Sequence, residues 1–174
     1  LTVDEAVFNA EMQKQKDRAR NAAAVETDDW VVLAEGETEF KGWDFTEHSC
    51  RILRYRRVQQ KKQTYYELVL DTTPFYAEMG GQVADHGVLL CGDCRFEVNN
   101  VQKDKSGKYL HYGKLNVGTI KVDDVVLAAI DVERRKAIMR AHSATHLLQK
   151  ALKSVLGDHV HQAGSLVEPD RLRF

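Results

Sequence analysis

From residue 51 to residue 131 the chain is cut into short runs rich in β-branched and aromatic residues, parted by turn residues. The runs are Arg51 to Val58, Thr64 to Asp71, His86 to Leu90, Cys94 to Val101, Lys108 to Tyr112 and Asp124 to Val132. Asp104-Lys105-Ser106-Gly107 reads as a hairpin turn between two of them. Several short strands packed this closely predict a small barrel or curled sheet. The pattern then changes. Over Arg134 to Gly157 the residues Ile138, Ala141, Thr145, Leu148, Leu152 and Val155 fall three and four apart, which predicts one amphipathic helix stopped by Gly157. A strand is expected near 159–167. All-β followed by helix and strand makes the fold class α+β, with a subdomain boundary near residue 132. Before the barrel, residues 4–24 predict a helix capped by Asp4, with a loose stripe of Ala6, Phe8, Met12, Gln15 and Ala19. Residues 26–50 are mixed, with a short strand or buried turn expected at Trp30 to Leu33 and another at Phe40 to Trp43.

The predicted helix carries His142-Ser143-Ala144-Thr145-His146. Histidines four apart leave a helix on one side, about one turn from each other. Two imidazoles so held are half of a tetrahedral site, and zinc is its usual occupant. The plainer alternative is a pair of partly buried, hydrogen-bonded histidines with no metal. No Glu follows His142, so the zinc-protease pattern with its built-in base is absent.

Two glycine or cysteine features interrupt the strands. In Thr73-Pro74-Phe75-Tyr76-Ala77-Glu78-Met79-Gly80-Gly81-Gln82, the glycine pair permits φ above zero or a close approach to another backbone. It lacks the Lys-Ser/Thr of a phosphate loop. Cys91-Gly92-Asp93-Cys94 reads as a turn with two incidental cysteines rather than a metal or redox pair. Three cysteines do not make a disulfide framework, so a reducing, cytoplasmic setting is expected. The net charge of -1 gives no overall pull toward nucleic acid or membrane. Local basic clusters at Arg54, Arg56, Arg57, Lys61 and Lys62, and at Arg134, Arg135, Lys136 and Arg140, suit phosphate contact or a solvated face. The chain lacks an initiator Met and stops at Leu172-Arg173-Phe174 as a strand cut short, which suggests a piece of a longer protein.

Taken together, Thr73-Pro74-Phe75-Tyr76-Ala77-Glu78, Gly80-Gly81-Gln82, Asp131, Arg135, His142-Ser143-Ala144-Thr145-His146-Leu147-Leu148 and His159-Val160-His161-Gln162-Ala163-Gly164-Ser165 resemble the editing domain of alanyl-tRNA synthetases. The resemblance implies a connector helix over 1–24 from a preceding tRNA-recognition domain. It implies a glycine-rich β-barrel over 25–131 and the start of a zinc-dependent α/β editing core over 132–174. That core is similar to the one in threonyl-tRNA synthetases. It implies hydrolysis of serine or glycine wrongly esterified to the 3′ end of alanine tRNA, in a parent enzyme that attaches alanine using ATP and Mg²⁺ in a domain outside this chain. It implies one zinc on His142 and His146, with a Cys and a His beyond Phe174 completing the site. Gln162 matches a glutamine linked to editing, on a strand expected to face the metal helix. Thr73 matches the segment that approaches the amino acid. Met79 stands where the family often has a small residue, and either alters the barrel bend or points outward. Two other readings are a free-standing trans-editing deacylase, and a non-catalytic RNA-binding barrel whose histidines are structural.

Overall fold

The computed structural model describes residues 4–22, 26–60, 63–120 and 124–174. Residues 23 and 24 of the expected first helix, and Lys61 and Lys62 of the basic cluster, lie outside the described residues. In chain order the elements are α1 (Glu5–Ala22), β1 (Glu26–Thr27), β2 (Val31–Val32), β3 (Glu39–Phe40), β4 (Glu47–Gln60), β5 (Gln63–Leu70) and β6 (Thr72–Thr73). They continue as β7 (Gly87–Cys91), β8 (Cys94–Lys103), β9 (Tyr109–Val117), β10 (Val125–Ile130), α2 (Val132–Leu156), β11 (Leu166–Val167) and β12 (Leu172–Arg173).

β4 organises the sheet because it is long enough to have different neighbours along its length. One edge pairs with β5, from Ile52↔Leu70 to Gln60↔Gln63. On the other edge its first half takes β10, from Arg51↔Val125 to Glu47↔Ala129. The ladder then runs β10-β7-β8-β9-β5 and returns to β4, which closes a six-stranded antiparallel barrel. Closure removes the exposed edges an open sheet of this size would carry. β1 and β2 continue the far half of β4 past the point where β10 leaves it. β3 pairs in parallel with β6, which ties the 39–45 loop to the barrel wall. The predicted α+β class and barrel are both present.

The interior follows strand alternation. Val126, Ala128 and Ile130 of β10 point inward while Val125 and Leu127 stay exposed. Along β8 the residues Cys94, Phe96 and Val98 are buried, and strict alternation would next bury Asn100. A register shift between Val98 and Asn100 changes the phase by one, so Val101 is buried instead. Beside this bulge only glycine fits at position 113, because a Cβ there would lie 1.9 Å from the Glu97 carbonyl oxygen. The cysteine pair flanks a tight turn at Gly92-Asp93, with Cys91 and Cys94 opposite each other and Gly92 at φ 53°. Asp104 and Gly107 close the expected hairpin turn. Met79 is exposed, so it points outward and leaves the barrel bend alone.

One expectation needs correction. The strand near 159–167 shrinks to Leu166–Val167, paired with β12. Residues 159–165 hold one β-branched residue, Val160, and run irregularly. The apolar face of α2 is covered over only part of its length. Ile138 and Thr145 are buried, but Leu148 is 38% exposed and Val155 80% exposed. The helix starts earlier than its apolar period suggested, because Asp131 accepts from the Arg134 amide and caps it, and Gly157 ends it at φ 108°. Asp4 caps α1 as expected. Phe8 and Met12 on α1 are exposed. No helix among the described residues is long and apolar enough to cross a membrane.

Candidate functional site

The two α2 histidines come together. Their ring centroids are 5.1 Å apart with planes tilted by 47°, and both residues are exposed. His142 Nδ1 lies 2.8 Å from the side-chain oxygen of Gln82. Gln82 is buried and closes a turn in which its backbone exchanges two hydrogen bonds with Met79. Gly80 and Gly81 fill the corner at φ 61° and 82°, and Gly81 makes the close approach as well. Gly80 has open space around it. A Cβ on Gly81 would sit 2.6 Å from the Ser165 carbonyl oxygen. That close approach lets Val167 N donate to Gly81 O at 2.7 Å and Val83 N donate to Val167 O at 3.1 Å. The glycine turn therefore holds α2 on one side and the 165–167 segment on the other.

A groove of about 590 Å³ opens beside His142 and Gln82, between the 42–46 loop and the first half of α2. Trp43, Phe45, Tyr76 and Met139 give it apolar walls, and Lys136 stands at its rim. Trp43 is 77% exposed and meets Phe40 and Tyr76 edge-on. The floor is pinned by Arg135, which donates to the buried Asp85 carboxylate through Nε and Nη2 and to the Gly42 and Pro74 carbonyls. Asp85 also accepts from Tyr76 N at 2.8 Å. Among the described residues most cations of the basic clusters stand beside a carboxylate, Arg56 by Glu67 in a half-buried pair and Lys136 by Glu133 in an exposed one.

Thr73 does not join this site. It is fully buried in the barrel, where its hydroxyl lies 2.7 Å from His111 Nε2 and accepts from Phe75 N. His111 Nδ1 lies 3.2 Å from the Leu68 carbonyl oxygen, so it is the donor nitrogen and Nε2 the acceptor. With both ring nitrogens satisfied as a neutral imidazole, burial lowers the His111 pKa from 6.5 to about 4. The unfolded ring takes up its proton first, so stability is full above the unfolded value and falls as pH drops from 6.5 toward 4. Between pH 7 and pH 5 the loss from this group is about 2 kcal/mol. A ring-carbon NMR titration of His111 should have its midpoint below pH 5, with urea unfolding weakening over the same window. A midpoint near 6.5 would refute this account of the core.

Gln162, expected on a strand facing the helix, is exposed in the irregular 159–165 segment. Among the described residues no cluster of three or more His, Cys, Asp or Glu is placed to hold a metal ion, so the histidine pair is the donor set seen here. Its chemistry suits zinc, with two imidazoles on one helix face and one Nδ1 backed by a carbonyl oxygen. Sequence reasoning missed Asp85 and His111, each a single polar residue among strand residues with no spacing signal. It noted Gln82 without a reason to use it.

A family profile for class II tRNA synthetases (A) matches residues 1–134. The chain belongs to the class II tRNA synthetases (A). Its similar members of this family include the alanine–tRNA ligases of Bacteroides thetaiotaomicron, 52% identical, Porphyromonas gingivalis, 50% identical, and Cytophaga hutchinsonii, 47% identical. Each likeness covers the whole of this chain and 20% of the relative, so the chain spans about a fifth of the length of these synthetases. The synthetase profile stops at Arg134, short of the histidine pair, whereas the likeness to the ligases continues through it.

Proposed function

We propose that this chain is the part of an alanine–tRNA ligase that frees serine or glycine wrongly esterified to alanine tRNA, with the parent protein attaching alanine using ATP and Mg²⁺ elsewhere. The observation that carries the reading is the exposed histidine pair at the head of an aromatic groove, in a chain about half identical to ligases of that name. The task has a physical motive. A pocket shaped for alanine cannot exclude the smaller glycine, and an added hydroxyl shifts discrimination by only about a hundredfold. A second, hydrolytic site is the remedy.

His142 and His146 are the residues that would hold zinc, with two further donors beyond Phe174. When bound, zinc polarises an ester carbonyl or lowers the pKa of a water. The chain's own residues do the rest. Gln82 orients His142, while Trp43, Tyr76 and Met139 offer an apolar bed for the terminal adenosine and keep water off its base. Lys136 stands near the phosphates at the rim. Gln162, exposed in the irregular segment that ends against Gly81, is the residue that would offer its amide to the substrate. Cys50, Cys91 and Cys94 form no disulfide, which fits a cytoplasmic setting.

The test is serine release from Ser-tRNA for alanine by a polypeptide that contains this chain and continues past Phe174. Release should far exceed spontaneous ester hydrolysis, with Ala-tRNA spared, and the 174 residues alone should be weak. Release at the spontaneous rate refutes the reading. In the same assay Trp43→Ala should raise KM roughly tenfold with little change in kcat, the size of one lost base-stacking contact. An unchanged KM removes Trp43 from the substrate path.

A further inference from the structure

Gln82 is held from two sides, by its main chain and by its side chain. Its main chain is fixed by the turn with Met79 and by a parallel bridge to Val167. Burying a primary amide without partners is costly, so the side chain is held to whatever bond it makes. That bond is the 2.8 Å contact between Gln82 Oε1 and His142 Nδ1. A carbonyl oxygen can only accept. His142 Nδ1 must then carry the ring proton, and Nε2 is left with its lone pair free.

We infer that Gln82 is a positioning residue that locks His142 as the Nδ1–H tautomer and so presents Nε2 as the ligating nitrogen. The inference rests on the proposed metal reading for its purpose, but not for its geometry. It also explains why the glycine turn is built as it is. Positive φ at Gly80 and Gly81 and the contact with Ser165 set the backbone from which Gln82 reaches α2. An imidazole with no partner at either nitrogen prefers the Nε2–H form, which would leave the wrong nitrogen free. The carbonyl reverses that preference before any ligand arrives, as carbonyl and carboxylate partners do for ligating histidines generally.

The experiment compares Gln82→Leu and Gln82→Glu in the 174-residue chain, with long-range ¹⁵N–¹H NMR of His142 at pH 8. Gln82→Glu keeps an acceptor of similar reach, and Gln82→Leu removes it at nearly constant volume. Wild type and Gln82→Glu should show the Nδ1–H pattern, and Gln82→Leu should revert to mainly Nε2–H with the amide spectrum otherwise preserved. Zinc titration of the polypeptide extended past Phe174 should show 10- to 100-fold weaker binding for Gln82→Leu and none of that loss for Gln82→Glu. A tautomer unchanged in Gln82→Leu overturns the inference whatever the metal does. A tautomer that switches while no form binds zinc supports the positioning role and overturns the zinc reading instead. If Gln82→Leu unfolds the chain, the comparison of wild type with Gln82→Glu still decides, since loss of Nδ1–H in Gln82→Glu contradicts an accepting partner.

Discussion

Replacing Arg135 with leucine should lower folding stability by about 3–5 kcal/mol, read as a shift in the denaturant midpoint of unfolding. The guanidinium and the Asp85 carboxylate are 11% and 1% exposed, so water does little to screen either. Leucine keeps the aliphatic bulk but leaves Asp85 as a buried charge with one remaining donor, Tyr76 N, and strips donors from the Gly42 and Pro74 carbonyls. That uncompensated charge dominates the loss. Adding Asp85→Asn should restore about half of it, because the carbonyl can still accept from Tyr76 N while the charge is gone. The pair joins the barrel to the first turn of α2. Its loss should therefore loosen the helix that carries the histidines, and the groove with it. A change under about 0.5 kcal/mol, the size expected of an exposed ion pair, would refute this account of the junction.

Alanine at His146 should do the opposite, sparing the fold and removing the metal. The side chain is exposed, and unfolding should move by no more than about 0.5 kcal/mol. A four-donor zinc site is worth about 10–16 kcal/mol, so one donor carries roughly a quarter of that. Zinc affinity of the polypeptide extended past Phe174 should fall more than about a hundredfold. Competition with a chelating dye measures it. Equal affinity in the variant and the parent would show that His146 ligates nothing.

The contrast between these two residues shows what the sequence could and could not disclose. Helical spacing placed His142 and His146 on one side of α2, because that depends only on the local period. The strands were visible for the same reason, and so were both uses of the Gly80-Gly81 pair. Arg135 was equally visible, as one cation of a basic cluster and as part of the family resemblance, but neither named its partner. Its partner Asp85 lies 50 positions away, and nothing local announces a pairing made by tertiary packing. Thr73 failed in the opposite direction. The family resemblance, not the local residues, put it beside the amino acid, yet barrel closure brings His111 from β9 to its hydroxyl and buries the group. The β8 bulge that buries Val101 was hidden because the alternation from Cys94 to Val98 is regular and gives no sign of the shift that follows. The second half of α2 carried an apolar period that the described residues leave largely uncovered, since periodicity states that a face is apolar and not what meets it.

The proofreading account is tested most directly by serine release from Ser-tRNA for alanine in the full-length protein, with His142→Ala beside the parent. The account predicts a loss of at least about a hundredfold in release, since a residue that would hold the metal acting on the ester is removed, while attachment of alanine stays unchanged. Equal release by the two proteins would contradict it.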